Sequence, residues 1–175
     1  MSKEIRLKKG LNINLVGAAD KVYASVKPTD INHKYVVKPT DFHGLIPKLV
    51  VKIGDKVKAG TVLFFDKSNE KIKFSSPVSG EIIDIIRGAK RRILEIVIKG
   101  DAEIVYENFD VTSSSNLSRE QIIDKMLQSG VWPFIRQKPY DIIANPIEMP
   151  KAIFISTFKS APLAIDNDFA LYGME

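Results

Sequence analysis

In two stretches between residues 49 and 98 apolar residues recur every second position, the period of a strand with one face inward. Leu49, Val51 and Ile53 alternate with Val50 and Lys52 and predict one strand. Ile72 and Phe74 alternate with Lys71 and Lys73 and predict another with one wet face. Thr61–Phe65 is β-branched and aromatic without alternation, as suits a strand buried on both sides. Glu81–Ile86 and Ile93–Ile98 complete the set, and residues 10–17 (GLNINLVG) alternate in the same way. Gly54-Asp55 reads as a tight strand reversal, while Gly60, Pro77 and Gly80 punctuate the rest. From Ser118 the period lengthens. Ser118-Arg119-Glu120-Gln121 fits a capping box, Ile122, Ile123, Met126 and Leu127 share one helical face, and Gly130 is a stop. Trp132–Arg136 suggests a short helical turn with Pro133 at its first position. Pro139 and Pro146 mark an extended path, and residues 151–157 (KAIFIST) read as a buried strand followed by a loop with Pro162 and Asp166.

These elements predict an α+β chain in four parts. Residues 1–37 are an N-terminal arm with short strands, and 38–100 an all-β module. Residues 101–117, ending in DVTSSSN, are a linker, and 118–175 open an α/β domain. Helix, loop and strand are how such a domain begins. The chain reaches Glu175 without closing it, so it reads as the N-terminal fragment of a longer subunit.

The stretch 51–85, with its glycine-aspartate reversal, second glycine, polar tip DKSNEK and return through SPVSG, resembles the biotinyl/lipoyl half-barrel, or barrel-sandwich hybrid. Modules of that type carry a swinging cofactor on a hairpin lysine or serve as rigid docking pieces. Further segments extend the likeness. KKGLNINLVG (8–17), VKIGDKVKAGTVLFFDK (51–67), SPVSGEIIDIIRGAKRRI (76–93), QSGVWPFIRQKPY (128–140) and AIFISTFKSAPLAID (152–166) together resemble the A subunit of the bacterial Na+-translocating NADH:quinone reductase. RGAKR and the SG-x-W-x-x-x-R-x-x-P pattern are the specific motifs, since GD-x-V-x-x-G occurs in many half-barrels. The resemblance implies a peripheral subunit on the cytoplasmic side of the bacterial inner membrane. It would touch the membrane only through partner subunits of a respiratory complex that oxidises NADH, reduces quinone and exports Na+. It also implies that NADH, flavins and iron centres sit on other subunits, with quinone the one ligand open to this chain.

Composition narrows the chemistry. The chain has no cysteine, which excludes disulfides and cysteine-ligated zinc or iron–sulfur centres within it. Nowhere is there a run of roughly 18 apolar residues, the length of a membrane span. The net charge is +5, and its densest cluster is Arg87, Lys90, Arg91 and Arg92, with Lys99 further on. Such a cluster could dock on phosphate, lipid headgroups or an acidic partner, or simply be a solvated turn. A nucleic-acid-binding reading has no recognition helix, zinc pattern or aromatic strand beside it, so none is expected as a partner.

Candidate chemistry is sparse. Lys67 follows Asp66 as a carrier lysine would, and Lys71 competes with it. The run from Lys67 to Pro77 is about two residues longer than a two-residue carrier hairpin would give. A carrier domain using a hairpin lysine is therefore the alternative function. His33 and His43 are the only histidines and read as isolated loop residues. Ser75, Ser76 and Ser79 have no base marked beside them. No G-x-G-x-x-G or Walker sequence supports NADH binding, and no catalytic, cofactor-binding or metal-binding residue is expected here. Trp132, Phe134, Arg136 and Tyr140 concentrate aromatic surface beside a cation. They are candidates for internal packing, a subunit contact or part of a quinone pocket.

Overall fold

The computed structural model describes residues 21–22, 33–110, 113–156 and 164–172. It divides into two compact units, Val26–Met149, and Met1–Ser25 together with Pro150–Glu175. The alternating stretch 10–17 and the loop at Pro162 lie outside the described residues.

In the larger unit seven strands form two antiparallel sheets. β1 (Lys34–Val37), β7 (Ile93–Gly100), β6 (Gly80–Arg87) and β3 (Lys56–Val57) lie side by side in that order, and β2 (Pro47–Leu49), β4 (Val62–Asp66) and β5 (Asn69–Ser75) form the second sheet. β1, at the end of the predicted arm, pairs along β7 from Lys34↔Lys99 to Val37↔Ile96. Leu63 and Phe64 from one sheet and Ile82, Ile96 and Ile98 from the other are fully buried in a common core. Each contributes about 1.5–3 kcal/mol by leaving water. Phe64 stacks on Phe74 with ring centroids 4.5 Å apart. The alternation in β5 holds, with Ile72 and Phe74 buried and Lys71 exposed.

The predicted strand over Leu49–Ile53 is shorter than its pattern. β2 ends at Leu49, and Val50 and Ile53 are each 58% exposed. The chain leaves the sheet through a turn in which the Asp55 carboxylate accepts from Lys52 N at 2.9 Å and Gly54 takes φ +91°. Gly54 N then donates to Ile82 O and Ile82 N to Asp55 O. The glycine-aspartate turn therefore hands the chain from one sheet to the other instead of closing a hairpin. At Gly80 the two sheet strands run so close that a Cβ would lie 2.0 Å from Lys99 O, which only glycine avoids.

The stretch expected as a linker is tied to the β module through Glu107. Ala59 forms a parallel bridge with Tyr106, and Thr61 Oγ1 donates to Glu107 Oε1 at 2.8 Å. The buried Ser79 hydroxyl donates to Glu103 O and accepts from Val105 N.

Helix α1 (Arg119–Gln128) starts on the predicted capping box. Ser118 Oγ accepts from Gln121 N at 3.3 Å and Gln121 Oε1 accepts from Ser118 N at 2.8 Å. Its Leu127 enters the barrel core, with Ile123 and Met126 half-buried against it. Gly130, at φ +76°, ends it against Ser75 of β5. A one-turn 3-10 segment, Trp132–Phe134, follows with Pro133 second rather than first. β8 (Arg136–Gln137) and β9 (Ile142–Ile143) then form a small antiparallel ladder.

In the smaller unit, the predicted buried strand at 151–157 is not formed over its described part. Residues 152–156 have no regular structure, and Ile153, Phe154 and Ile155 are 80, 89 and 79% exposed. An apolar run becomes a strand only where a neighbour supplies a ladder, and among the described residues none does. Helix α2 (Asn167–Tyr172) follows Asp166, whose carboxylate accepts from Phe169 N and pairs with Lys21 Nζ at 2.8 Å.

Candidate docking surfaces

The four residues of the tryptophan–tyrosine segment part company in space. Trp132 is 7% exposed, sits in the core and donates its indole N–H to Ala144 O at 2.8 Å. Phe134 and Tyr140 are each 73% exposed. Arg136 lies over Phe42, guanidinium carbon 5.1 Å from the ring centroid, while Phe134 meets the same ring edge-on at 6.1 Å. The guanidinium also makes long hydrogen bonds to Asp141 O (3.4 Å) and Asp41 O (3.5 Å). Phe42 in turn packs edge-on against Phe74 of β5 at 4.8 Å. The centre of this cluster is thus Phe42, which sequence reasoning missed. It lies far along the chain from the others, and its one local signal is a polar-flanked phenylalanine.

Beside the cluster, Lys138 Nζ meets Asp141 Oδ1 at 2.7 Å at the turn between β8 and β9. The hydrogen bond and charge of Lys138, with smaller effects from Arg136 and His43, hold the Asp141 carboxyl below its ordinary range. Asp141 takes φ +54°, a conformation aspartate tolerates better than most residues.

The basic cluster crowns the β6–β7 hairpin. Gly88 N donates to Arg92 O at 2.8 Å and Arg92 N to Ala89 O at 3.2 Å, closing a tight turn. Both central residues, Lys90 (φ +54°) and Arg91 (φ +60°), are left-handed, as a type I′ turn requires. Arg87, Lys90, Arg91 and Arg92 are all exposed.

The β4–β5 hairpin also differs from expectation at its tip. Asp66 pairs with Asn69, so the loop is the two residues Lys67-Ser68. Asp66 Oδ1 accepts from Ser68 N and Lys67 N donates to Ile46 O, leaving the Lys67 side chain exposed on a braced tip. Lys71 is on the strand, away from the turn.

Of the serines, Ser76 donates to Val78 O, Ser79 is held between Glu103 O and Val105 N, and Ser75 Oγ is buried without a partner. His33 stands before β1 with its ring 6.1 Å from Tyr35, and His43 is exposed near Asp141. Among the described residues no group of three His, Asp or Glu side chains could hold a metal, and no helix is long and apolar enough to cross a membrane. An open depression of about 230 Å³ lies beside α1, lined by Phe109, Met126, Ser129 and Val131 among others.

Residues 5–101 match the family described as the NqrA N-terminal barrel-sandwich hybrid domain, and residues 117–175 match the NqrA second alpha/beta domain. The chain belongs to the NqrA family. Its fold is accordingly a barrel-sandwich hybrid followed by a small α/β domain. NqrA relatives include the A subunit of the Na(+)-translocating NADH-quinone reductase of Pseudomonas aeruginosa strain PAO1, 33% identical over 164 residues, 93% of this chain and 36% of the relative. The protein of the same description from Vibrio vulnificus strain YJ016 is 35% identical over 162 residues, 91% of this chain and 36% of the relative. That from Photorhabdus laumondii is 36% identical over 165 residues, again 93% and 36%. The chain thus spans about a third of the length of the NqrA relatives it matches.

Proposed function

We propose that this chain is the N-terminal part of the A subunit of a Na+-translocating NADH:quinone reductase. It would be peripheral, on the cytoplasmic side of the bacterial inner membrane, with NADH, flavins and iron centres on its partner subunits. Support comes from the ordered match to both NqrA domains and from the shared description of the relatives.

Within that assembly the role of residues 1–175 is docking. The observation that carries this is the Phe134 ring, 73% exposed yet seated on Phe42 and the barrel beneath it, with Tyr140 equally exposed on the same segment. Large rings held on a rigid base anchor interfaces well, because little side-chain freedom is lost on contact. A subunit contact is favoured over a quinone pocket because Trp132 Nε1 and two guanidinium nitrogens of Arg136 are already given to backbone carbonyls.

The test is affinity purification of the full-length protein from native membranes, comparing wild type with Phe134→Asp and Tyr140→Asp. Recovery of membrane subunits with flavin and NADH–quinone reductase activity supports the reading, with recovery falling in the variants. Recovery of a soluble acyltransferase or carboxylase would sink it. The two-residue tip at Lys67 favours a second reading as a cofactor carrier, and a fixed biotinyl or lipoyl increment in the intact mass would establish that instead.

A further inference from the structure

The four cations at the β6–β7 tip account for nearly all of the net charge of +5. No Asp or Glu lies between Asp84 and Glu95. Glu95 is engaged by Lys38 at 3.2 Å, and Asp84 Oδ1 accepts from Ile85 N. Among the described residues no carboxylate pairs with Arg87, Lys90, Arg91 or Arg92, while five of the described lysines do have acidic partners. The arrangement also stores backbone strain. A type I′ turn favours Asn-Gly, and a left-handed lysine or arginine is strained by its Cβ. Two cations in tandem at such positions are an outlier of the kind that clusters at functional sites.

We propose that this hairpin tip is a membrane-contact finger, binding the phosphates of anionic phospholipids at the bilayer surface. The tip presents its charge at the end of the two longest strands among the described residues, and its flank is aliphatic. Ile86 is 38% exposed, and Leu94 packs where a Cβ on Gly88 would lie, 3.1 Å away. Cations above a short aliphatic flank match the headgroup boundary, where phosphate lies outside and hydrocarbon just beneath. A lipid surface is a dense array of phosphates and demands no shape match, so an isolated loop suffices. Single-stranded nucleic acid would call for stacking rings, and none stands between Asp84 and Glu95. The choice of a bilayer over another anionic surface rests on the peripheral-subunit reading above. The contact itself is made by this chain and not through its partners.

The experiment is sedimentation of the full-length protein, freed of other subunits, with phosphatidylcholine vesicles containing or lacking phosphatidylglycerol. Each tip cation near an anionic surface is worth about fivefold in partitioning. Lys90→Asn with Arg91→Gly should therefore lower binding to the anionic vesicles about thirtyfold, and raised salt should abolish it. That variant installs the dipeptide the turn prefers, so it should unfold at higher urea than wild type and its loss of binding cannot be attributed to misfolding. Undiminished binding by the variant, equal binding to neutral vesicles, or tighter tip-dependent binding to RNA than to vesicles would overturn the proposal. Because no partner protein is present, these outcomes are distinct from a failure to recover the complex from membranes.

Discussion

Alanine at Gly130 probes the joint between α1 and the barrel. The new Cβ would lie 2.4 Å from Ser75 Oγ, 3.1 Å from Ser75 Cβ and 3.3 Å from Ser75 N. The left-handed backbone at φ +76° adds about 1–2 kcal/mol for any residue with a Cβ. Overpacking against a buried neighbour adds about 1–3 kcal/mol. Gly130→Ala should therefore destabilise the barrel unit by roughly 2–5 kcal/mol. Ser75 decides how that loss divides. Its hydroxyl is buried with no hydrogen-bond partner, so removing it sacrifices no bond. In a Ser75→Gly background the contacts with Oγ and Cβ disappear, leaving the backbone penalty and the milder 3.3 Å approach to the residue 75 nitrogen. The two substitutions should then couple by about 1–3 kcal/mol in a double-mutant cycle. The assay is urea unfolding followed by the fluorescence of Trp132, the only tryptophan and 7% exposed when folded. With a slope of about 1–3 kcal/mol per molar, the midpoint of Gly130→Ala should fall by one to a few molar. A loss under about 1 kcal/mol, or strict additivity with Ser75→Gly, would refute the close packing of α1 on β5.

Two further perturbations follow from the same unit. Ser118→Ala removes the acceptor for Gln121 N and should cost about 1 kcal/mol in the same unfolding assay, whereas Ser118→Asp should recover most of it. Asp141→Asn keeps the left-handed turn but removes the charge facing Lys138. Because the folded carboxyl is held below 3.8, its contribution is present above that value and lost as pH falls through the lowered one. Wild type should thus exceed the variant at neutral pH and converge with it in strong acid, and a gap that persists there would argue against the pair.

Local signals carried well where the physics is local. The reciprocal Ser118/Gln121 bonds need only residues three apart, and the β5 alternation needs only one buried face, so both were legible in the chain. Leu49 to Ile53 shows the limit of the same rule. Alternation marks a strand but not its sheet, and the chain changes sheets within that run. At the basic hairpin, turn chemistry misled by omission. Left-handed pairs are read from glycine and asparagine, and Lys90-Arg91 carry neither signature. The Phe42–Arg136 contact joins residues distant in sequence, which no periodicity encodes. The exposed run at Ile153–Ile155 shows why an apolar stretch alone does not specify burial.

Ser79 has a bearing on where the chain can be divided. Its hydroxyl, 1% exposed, serves Glu103 O and Val105 N at once, and Ala59 exchanges backbone bonds with Val105 and Glu107. Severing the chain just after Gly100 would orphan that hydroxyl and both polar groups of Ala59, at about 1–3 kcal/mol for each buried group left unpaired. Insertions and protease nicks should accordingly be tolerated between Phe109 and Ser118, before α1 packs its Leu127 into the core, and not at the end of the last barrel strand.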